Sequence, residues 1–194
     1  MKTVEYEKKM LLSLAEYTAL FQALSSTGKT VTQVNHYYDT PDLDGNTKGI
    51  TYRIREKNGK FIATVKSHHV SGRDDNIEIS GEVNSPFDTS FFTASDLCYH
   101  GCLTTERLII CPCNGIELAL DKNRYFQFTD YELEIEYSEN TEKEAENILQ
   151  HLVNILHASE IPASFLSVVC RLNTSQSKSE RFFARKAYIE RNEE

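Results

Sequence analysis

Acidic residues recur at every second position in two stretches of this sequence. Glu5 and Glu7 are followed by Lys9 at the same spacing, and three glutamates alternate with apolar residues over 132–136. Side chains alternate across a β-strand, so each of these sets shares one face of a strand. Like charges side by side on a strand are destabilising unless cations neutralise them. Carboxylate oxygens are the ligands that Mg²⁺ and Mn²⁺ prefer, so this pattern predicts a divalent-metal site.

Basic residues show the same alternation elsewhere in the chain. Arg53 and Arg55 are two residues apart, and Lys66 and Arg107 belong to later predicted strands. A guanidinium group offers a planar fork of donors that matches phosphate oxygens. Carboxylates for a metal, together with arginine and lysine for phosphate, are what phosphoryl-transfer chemistry requires. This chemistry needs no Ser-His-Asp or Cys-His set, because positioning and electrostatics supply most of the rate.

The elements that must position these residues are mainly β-strands. Alternation and flanking turn residues predict eight of them, at 4–10, 33–40, 51–57, 60–66, 76–83, 105–111, 115–121 and 130–137. Asn58-Gly59 between two of them is a strong hairpin signal. An antiparallel sheet with one solvent-exposed face is the simpler interpretation. Such faces usually mix neutral polar residues, however, whereas these strands carry mostly ions.

Helices are predicted before and after the strands. An amphipathic pattern covers Leu11–Leu24, and the weakly patterned segment 89–99 also favours a helix. Thr141 and Glu144 predict a capping box ahead of an apolar stripe formed by Ala145, Ile148, Leu149, Leu152, Val153 and Leu156. Further helices are predicted near Pro162 and over 177–190. We therefore expect a single α+β, mainly-β domain over residues 1–194, whose strands could close into a barrel around the charged face.

Composition excludes several classes of protein. The chain has 194 residues and a net charge of −8, which argues against nucleic-acid binding but not against a small anionic ligand. No stretch has the length of a membrane helix or the pattern of an export signal, so we expect a cytoplasmic protein without a membrane partner. The five cysteines form an odd set without the spacing of a zinc site, and free thiols are expected.

The charged motifs, taken in order, resemble those of the CYTH superfamily, also called triphosphate tunnel metalloenzymes. The resemblance spans nearly the whole chain and is nearest to the small bacterial YjbK-like branch. It rests on Glu5-Tyr6-Glu7-Lys8-Lys9, Tyr37-Tyr38-Asp39-Thr40, Arg53-Ile54-Arg55, Thr64-Val65-Lys66, Leu120-Asp121, Glu132-Leu133-Glu134-Ile135-Glu136 and Ser177-Lys178-Ser179-Glu180-Arg181. The sequence departs from the family at Tyr52, in the Gly45–Gly49 loop and at His68-His69, none of which is a charged motif position.

The resemblance implies an eight-stranded, antiparallel, closed β-barrel that binds a triphosphate and one or two divalent metals. The metal ligands that it implies are Glu5, Glu7, Asp121, Glu132, Glu134 and Glu136. The phosphate-binding residues that it implies are Lys9, Arg53, Arg55, Lys66, Arg107, Lys178 and Arg181, with Arg124 as a further candidate. Glu5, Glu7, Lys9 and Glu134 are expected to be catalytic, while Glu78 and Glu82 face the tunnel without an assigned role.

The function expected from these residues is hydrolysis of a triphosphate with Mg²⁺ or Mn²⁺. Inorganic triphosphate, thiamine triphosphate and nucleoside triphosphates all remain open as substrates, and the protein is expected to be a monomer or a homodimer. One alternative is an adenylate cyclase, in which the ribose 3′-hydroxyl replaces water as the nucleophile. The other is a non-catalytic module that binds polyphosphate or nucleotides.

Overall fold

The computed structural model describes residues 5–67, 77–172 and 176–192. Its strands are β1 (Glu5–Leu12), β2 (Lys29–Asp39), β3 (Ile50–Lys57), β4 (Lys60–Ser67), β5 (Ile77–Val83), β6 (Cys98–Cys113), β7 (Ile116–Tyr125) and β8 (Phe128–Ser138). Its α-helices are α1 (Leu14–Leu24), α2 (Asp44–Thr47), α3 (Glu142–Ala158), α4 (Phe165–Leu172) and α5 (Lys178–Asn192). Short 3₁₀ turns cover Ser25–Thr27, Thr89–Phe91 and Glu139–Thr141. His68 and His69 lie outside the described residues.

The eight predicted strands form one sheet in the order β1-β8-β7-β6-β2-β3-β4-β5. The mainly-β fold with flanking helices is thereby confirmed, but the predicted closure into a barrel is wrong. Within the described strands, no pairing joins β1 to β5 at the two ends of this order. Alternation along a strand shows which residues share a face, but it does not show whether the first and last strands of the sheet pair with each other. The sequence pattern therefore did not determine closure.

The predicted hairpin between β3 and β4 is confirmed. Asn58 and Gly59 both have positive φ, 53° and 73°, as a two-residue hairpin turn requires. Because the turn sets the register, Arg53 lies opposite Thr64, and Lys66 lies opposite Thr51.

The first helix begins three residues later than predicted. β1 continues through Leu12, which pairs with Tyr131 of β8, and Ser13 then caps α1. The hydroxyl of Ser13 accepts from the Glu16 amide at 3.2 Å, and the Glu16 carboxylate accepts from the Ser13 amide at 2.7 Å. This reciprocal capping box ends the strand and begins the helix.

The capping box predicted at Thr141 and Glu144 is not formed. The Thr141 hydroxyl instead donates to the backbone oxygen of Ser138 at 3.0 Å and to that of Gly115 at 3.2 Å. The hydroxyl therefore ties the β7 entry turn to the end of β8, and α3 begins without a side-chain cap. The predicted apolar stripe of α3 is confirmed, because five of its six residues are buried and the sixth, Ile148, is half-buried.

Strand β6 is longer than predicted and takes up part of the segment predicted to be helical. Only Thr89–Phe91 is helical there, and the strand already begins at Cys98. Gly101 has a φ of 128°, and His100 and Leu103 on either side of it both face the Phe182–Phe183 pair of α5. Residues three apart on a regular strand point to opposite faces, so Gly101 marks a bulge. Local alternation does not reveal such a bulge.

The chain forms two compact units, which are described one at a time. Unit 1 contains residues 1–31, 106–124 and 128–175, and unit 2 contains residues 32–105, 125–127 and 176–194. That both belong to a single domain stays a prediction. In residues 5–67, 77–172 and 176–192, no helix has the length and apolar composition that a bilayer crossing needs.

Each unit has its own apolar core. In unit 1 the apolar faces of β1, β7 and β8 pack against α1, α3 and α4, with Met10, Leu20, Leu120, Leu133, Ile135 and Leu149 fully buried. In unit 2 one cluster forms under the β3–β4 hairpin, from Tyr38, Ile54, Ala63, Val83 and Phe92. A second cluster joins Tyr37, Leu103 and Tyr125 to Phe182 and Phe183 of α5. These cores hold the polar faces of the strands in place.

Candidate functional site

The acidic residues of β7 and β8 meet in unit 1. Asp121, Glu132 and Glu134 each offer a carboxylate oxygen, and these oxygens lie within 4.8 Å of one another. All three residues are buried, with exposed fractions of 0%, 0% and 7%. The strand pattern explains the arrangement, because Leu120, Leu133 and Ile135 of the same strands fill the core on the opposite face.

Arg107 of β6 is bound within this acidic cluster. Its Nε and Nη2 donate to the two oxygens of Asp121 at 2.8 Å and 2.7 Å, and Nη2 also donates to Glu134. Burial by itself would lower the pKa of Arg107, but the bonds to Asp121 and the charge of Glu134 raise it above its ordinary value. The guanidinium is therefore always charged, and its hydrogen bonds to these two carboxylates are charge-assisted.

Strand β1 adds further charged residues beside β8. Glu7 lies opposite Glu136, Lys9 lies opposite Glu134, and Glu5 lies opposite Ser138. The ammonium of Lys9 is 3.3 Å from a carboxylate oxygen of Glu7. Glu7, Lys9, Glu134 and Glu136 therefore share one face of the β1–β8 pair.

Glu136 lies in a strongly negative environment. Burial raises the pKa of its carboxyl, and the charges of Glu117, Glu134 and Glu7 raise it further, while Arg107 acts in the opposite sense. The local excess of negative charge attracts a cation.

The acidic cluster suits a hard divalent cation. Its donors are carboxylate oxygens, and two oxygens that bind the same ion lie at most about 4–5 Å apart. Arg107 occupies one lone pair on each oxygen of Asp121, and a carboxylate oxygen has two. Asp121, Glu132 and Glu134 could therefore hold an ion while Asp121 and Glu134 stay bound to the arginine.

The predicted phosphate-binding residues of β3 and β4 share one face of unit 2. Arg53 and Arg55 lie on the same side of β3, and Lys66 lies across from Glu78 of β5. A guanidinium nitrogen of Arg53 is 4.0 Å from a carboxylate oxygen of Glu78. Glu78 therefore offsets part of the positive charge of this face, which gives it a role that the sequence did not indicate.

Helix α5 brings two more cations to the same region of unit 2. Ser177 and Glu180 form a reciprocal cap at its start, with contacts of 3.2 Å and 2.7 Å, and this places Lys178 in the first turn. Arg181 is 7% exposed and donates to the backbone oxygen of Gln176 at 2.6 Å. Phe182 anchors the helix by packing on Tyr37 with ring centroids 4.7 Å apart.

Tyr37 lies near four of the five predicted cations of unit 2. Burial raises the pKa of its phenol, and the neighbouring charges of Arg53, Lys178, Arg55 and Arg181 act in the opposite sense. The predicted residues from β3 and from α5 thus lie near one buried side chain. A cluster of four cations around a polar group is suited to a polyanion.

Two predicted residues do not join these clusters. Arg124 pairs with Glu106 at 2.5 Å on the face of β7 that also carries Leu120, away from Asp121. Glu82 lies opposite Ile62 in β4.

Sequence reasoning missed several polar residues on the same faces. Asn123 follows Asp121 by two residues, is fully buried and donates to Asp130 at 2.9 Å. Gln33 and Asn35 of β2 are 2% and 0% exposed. Gln33 and Asn35 alternate with Tyr37, so the sequence could have placed them on the same face of β2. It could not have shown that they are buried, because a neutral amide carries no signal of burial.

The segment Gly45–Gly49, where the sequence departs from the family pattern, forms an ordered turn. The Asp39 carboxylate accepts from the backbone amides of Thr40, Gly45 and Asn46 at 2.7, 2.8 and 2.7 Å. A Cβ on Gly45 would lie 2.8 Å from the Asp39 oxygen and 2.9 Å from the Tyr52 ring. The conformation of α2 therefore depends on Asp39 and on glycine at position 45.

Comparison with known sequences finds matches over most of the chain. A family model described as the CYTH domain matches residues 3–164. A Bacillus subtilis (strain 168) protein named "Putative triphosphatase YjbK" is 30% identical over 150 residues, which cover 69% of this chain and 77% of the relative.

Solved structures show the same fold. A Bacillus halodurans protein described as a "putative adenylate cyclase" has a TM-score of 0.66 and 26% identity, and covers 93% of this chain and 98% of its own. The Hippeastrum protein HpAC1, described as a "putative adenylyl cyclase" with a dominant triphosphatase activity, has a TM-score of 0.67 and 22% identity. That match covers 93% of this chain and 96% of the other. At 22% identity, the likeness shows that the two proteins share a fold.

Proposed function

This chain belongs to the CYTH domain family, and we propose that it is a divalent-metal-dependent triphosphatase. The observation that carries the proposal is the buried cluster of Asp121, Glu132 and Glu134, in which Arg107 binds two of the carboxylates. A buried group of three carboxylates with one arginine retains negative charge, and such a group is costly without a cation. The name of the Bacillus subtilis relative points to the same activity.

The metal-holding residues that we propose are Asp121, Glu132 and Glu134, joined by Glu5, Glu7 and Glu136 from the neighbouring positions of β1 and β8. Mg²⁺ and Mn²⁺ are the ions that this set of oxygen ligands suits. When bound, such an ion acts as a Lewis acid towards a phosphoryl oxygen and makes a bound water more acidic.

The phosphate-binding residues that we propose are Lys9, Arg53, Arg55, Lys66, Arg107, Lys178 and Arg181. Their role is to neutralise the charge on the phosphate chain and to hold it in a fixed position. Charge that develops on the transferred group in the transition state is stabilised by donors already in place. Arg53 and Arg55 can each present two parallel donors to a phosphate group.

The catalytic residues that we propose are Glu5, Glu7, Lys9 and Glu134. Glu134 accepts a hydrogen bond from Arg107 and lies opposite Lys9. A carboxylate held in this way can orient the attacking water and accept a hydrogen bond from it. Glu7 lies opposite Glu136, two residues along β8 from Glu134.

Adenylate cyclisation is the second candidate function. The observation that favours it is the name of the Bacillus halodurans structure, which is 26% identical to this chain. The two reactions need the same metal and phosphate-binding residues and differ in the nucleophile. Water releases phosphate, whereas the ribose 3′-hydroxyl of ATP gives cyclic AMP and pyrophosphate.

The test is an assay of the purified chain with tripolyphosphate, thiamine triphosphate and ATP, each with Mg²⁺, Mn²⁺ or EDTA. We expect phosphate release that EDTA abolishes, and the preferred substrate identifies the specificity. Glu132→Gln should lower kcat by about 100-fold or more, because it removes a charged metal ligand without changing the side-chain volume. Glu144→Gln, an exposed position on α3, serves as the matched control.

Three outcomes decide between the functions. Cyclic AMP and pyrophosphate from ATP would assign the chain to the cyclases. Tight triphosphate binding without any turnover would identify a binding module. Full activity of Glu132→Gln or Glu7→Gln would contradict the proposed metal site.

A further inference from the structure

Strand β2 buries two amide side chains whose nitrogen atoms have no partner. In residues 5–67, 77–172 and 176–192, Gln33 Nε2, Asn35 Nδ2 and Arg53 Nε are all buried, and none of them donates to a hydrogen-bond partner. Gln33 is 2% exposed and Asn35 is 0% exposed. A buried donor without an acceptor is destabilising, and folded proteins rarely retain one unless it serves a purpose.

The register of the sheet places these donors on the face that carries the arginines. Asn35 lies opposite Arg55, Gln33 lies opposite Lys57, and Tyr37 lies opposite Arg53. Directly opposed residues of an antiparallel pair project from the same face of the sheet. The amides are therefore part of the cationic face of unit 2.

The orientation of the Asn35 amide follows from its neighbour. Arg55 Nε donates to Asn35 Oδ1 at 3.0 Å. Because the arginine can only donate, the oxygen of the amide must face it, and Nδ2 must face away. Asn35 thus orients Arg55 through one atom and presents a donor through the other.

The three unpartnered atoms on this part of the face, among the residues that the structure describes, are all hydrogen-bond donors. Two amide NH₂ groups and a guanidinium N–H are suited to oxygen atoms that carry negative charge. A purely structural amide would instead bond to nearby backbone groups, as the Asp39 carboxylate does in the turn before α2.

We propose that Asn35 and Gln33 bind phosphate oxygens of the substrate and that Asn35 also positions Arg55. This rests on the proposed function for the identity of the ligand as a triphosphate. The two amides extend the binding set beyond its charged residues. Neutral donors hold a phosphate oxygen at a defined position without adding to the repulsion among the cations.

Calorimetric titration with tripolyphosphate in the presence of EDTA tests this inference without relying on turnover. Gln33→Met and Asn35→Leu remove the donors at nearly constant volume and without a change of charge. Each variant should weaken binding by about tenfold or more, the effect of losing a hydrogen bond to a charged group. Gln150→Met, at an exposed position on α3, is the matched control and should bind as the unmodified chain does.

Asn35→Asp separates the two parts of the inference. It retains the oxygen that Arg55 needs but replaces the donor with an acceptor. Loss of binding in both Asn35→Asp and Asn35→Leu supports direct contact with phosphate. Loss in Asn35→Leu alone would overturn direct contact by Asn35 and leave only its action through Arg55.

Thermal unfolding provides a second readout. Gln33→Met should unfold at the same or a higher temperature, because it removes an unpartnered buried amide. The inference would be overturned if Gln33→Met and Asn35→Leu both bound tripolyphosphate within twofold of the affinity of the unmodified chain. It would also be overturned if the unmodified chain did not bind tripolyphosphate. Binding that the variants weaken, in a chain that releases no phosphate, would overturn the proposed function but support the amide site.

Discussion

At the scale of single residues, Arg107 determines how much negative charge the acidic cluster carries. It binds Asp121 through two hydrogen bonds and also contacts Glu134. Glu132 completes the cluster, so a net negative charge remains for a cation. Removing Arg107 would leave its buried partners without their counter-charge, which costs more than the lost hydrogen bonds alone.

Glu136 gives a prediction about pH at this scale. Burial and the nearby carboxylates raise its pKa in the folded chain above the unfolded value, so its ionised form opposes folding. Stability therefore falls as pH rises from the ordinary glutamate pKa, about 4.3, through the raised pKa of the folded chain. Glu136→Gln should be more stable than the unmodified chain at neutral pH, and the difference should vanish below about pH 4.

Urea unfolding over a range of pH without divalent metal measures this difference. The control is Glu144→Gln on the exposed face of α3, for which no such trend is expected. A Glu136→Gln chain that is less stable than the unmodified chain at neutral pH would show that the ionised carboxylate supports the fold.

At the scale of elements, the β3–β4 hairpin positions the cations of unit 2. Its register places Arg53 opposite Thr64 and Lys66 opposite Thr51. A slip by one residue would move every one of these side chains to the apolar face. The turn at Asn58-Gly59 therefore contributes to the site as well as to the fold.

Gly59→Ala tests the turn. Gly59 has a φ of 73°, and a Cβ there would meet no atom within 4 Å, so the substitution changes only the backbone preference. The free energy of unfolding should fall by about 1–2 kcal/mol. Urea denaturation measures it, and Gly59→Asn should lose less, because asparagine tolerates this conformation. Equal stability of the alanine variant would indicate that the turn can relax.

At the scale of the whole molecule, the net charge of −8 favours cations over anions in solution. The acidic and the cationic clusters nevertheless provide local fields of opposite sign in units 1 and 2. Net charge thus predicts the absence of broad nucleic-acid binding but says little about a small anionic ligand. The distribution of charge matters more than its sum.

Metal binding should raise the stability of the whole chain. An ion that binds only the folded state stabilises it by mass action, about 2.7 kcal/mol at 100 times its Kd. MnCl₂ should therefore raise Tm by several degrees, and EDTA should reverse the shift. Asp121→Asn should abolish most of this shift, since it removes one ligand charge. NaCl at equal ionic strength is the control, and an equal shift with NaCl would indicate screening of the net charge instead of a site.

The sequence by itself determined the strands, the hairpin, the family resemblance and the alternation that puts charged residues on one face of each strand. These depend on local periodicity and turn chemistry, which short segments carry without help from the rest of the chain. The tertiary structure decided the open strand order, the continuation of β1 to Leu12, the bulge at Gly101 and the partner of Arg107. It also decided that Asn35 and Gln33 are buried. Pairing partners and desolvation arise from contacts between residues far apart in the chain, and no local pattern encodes them.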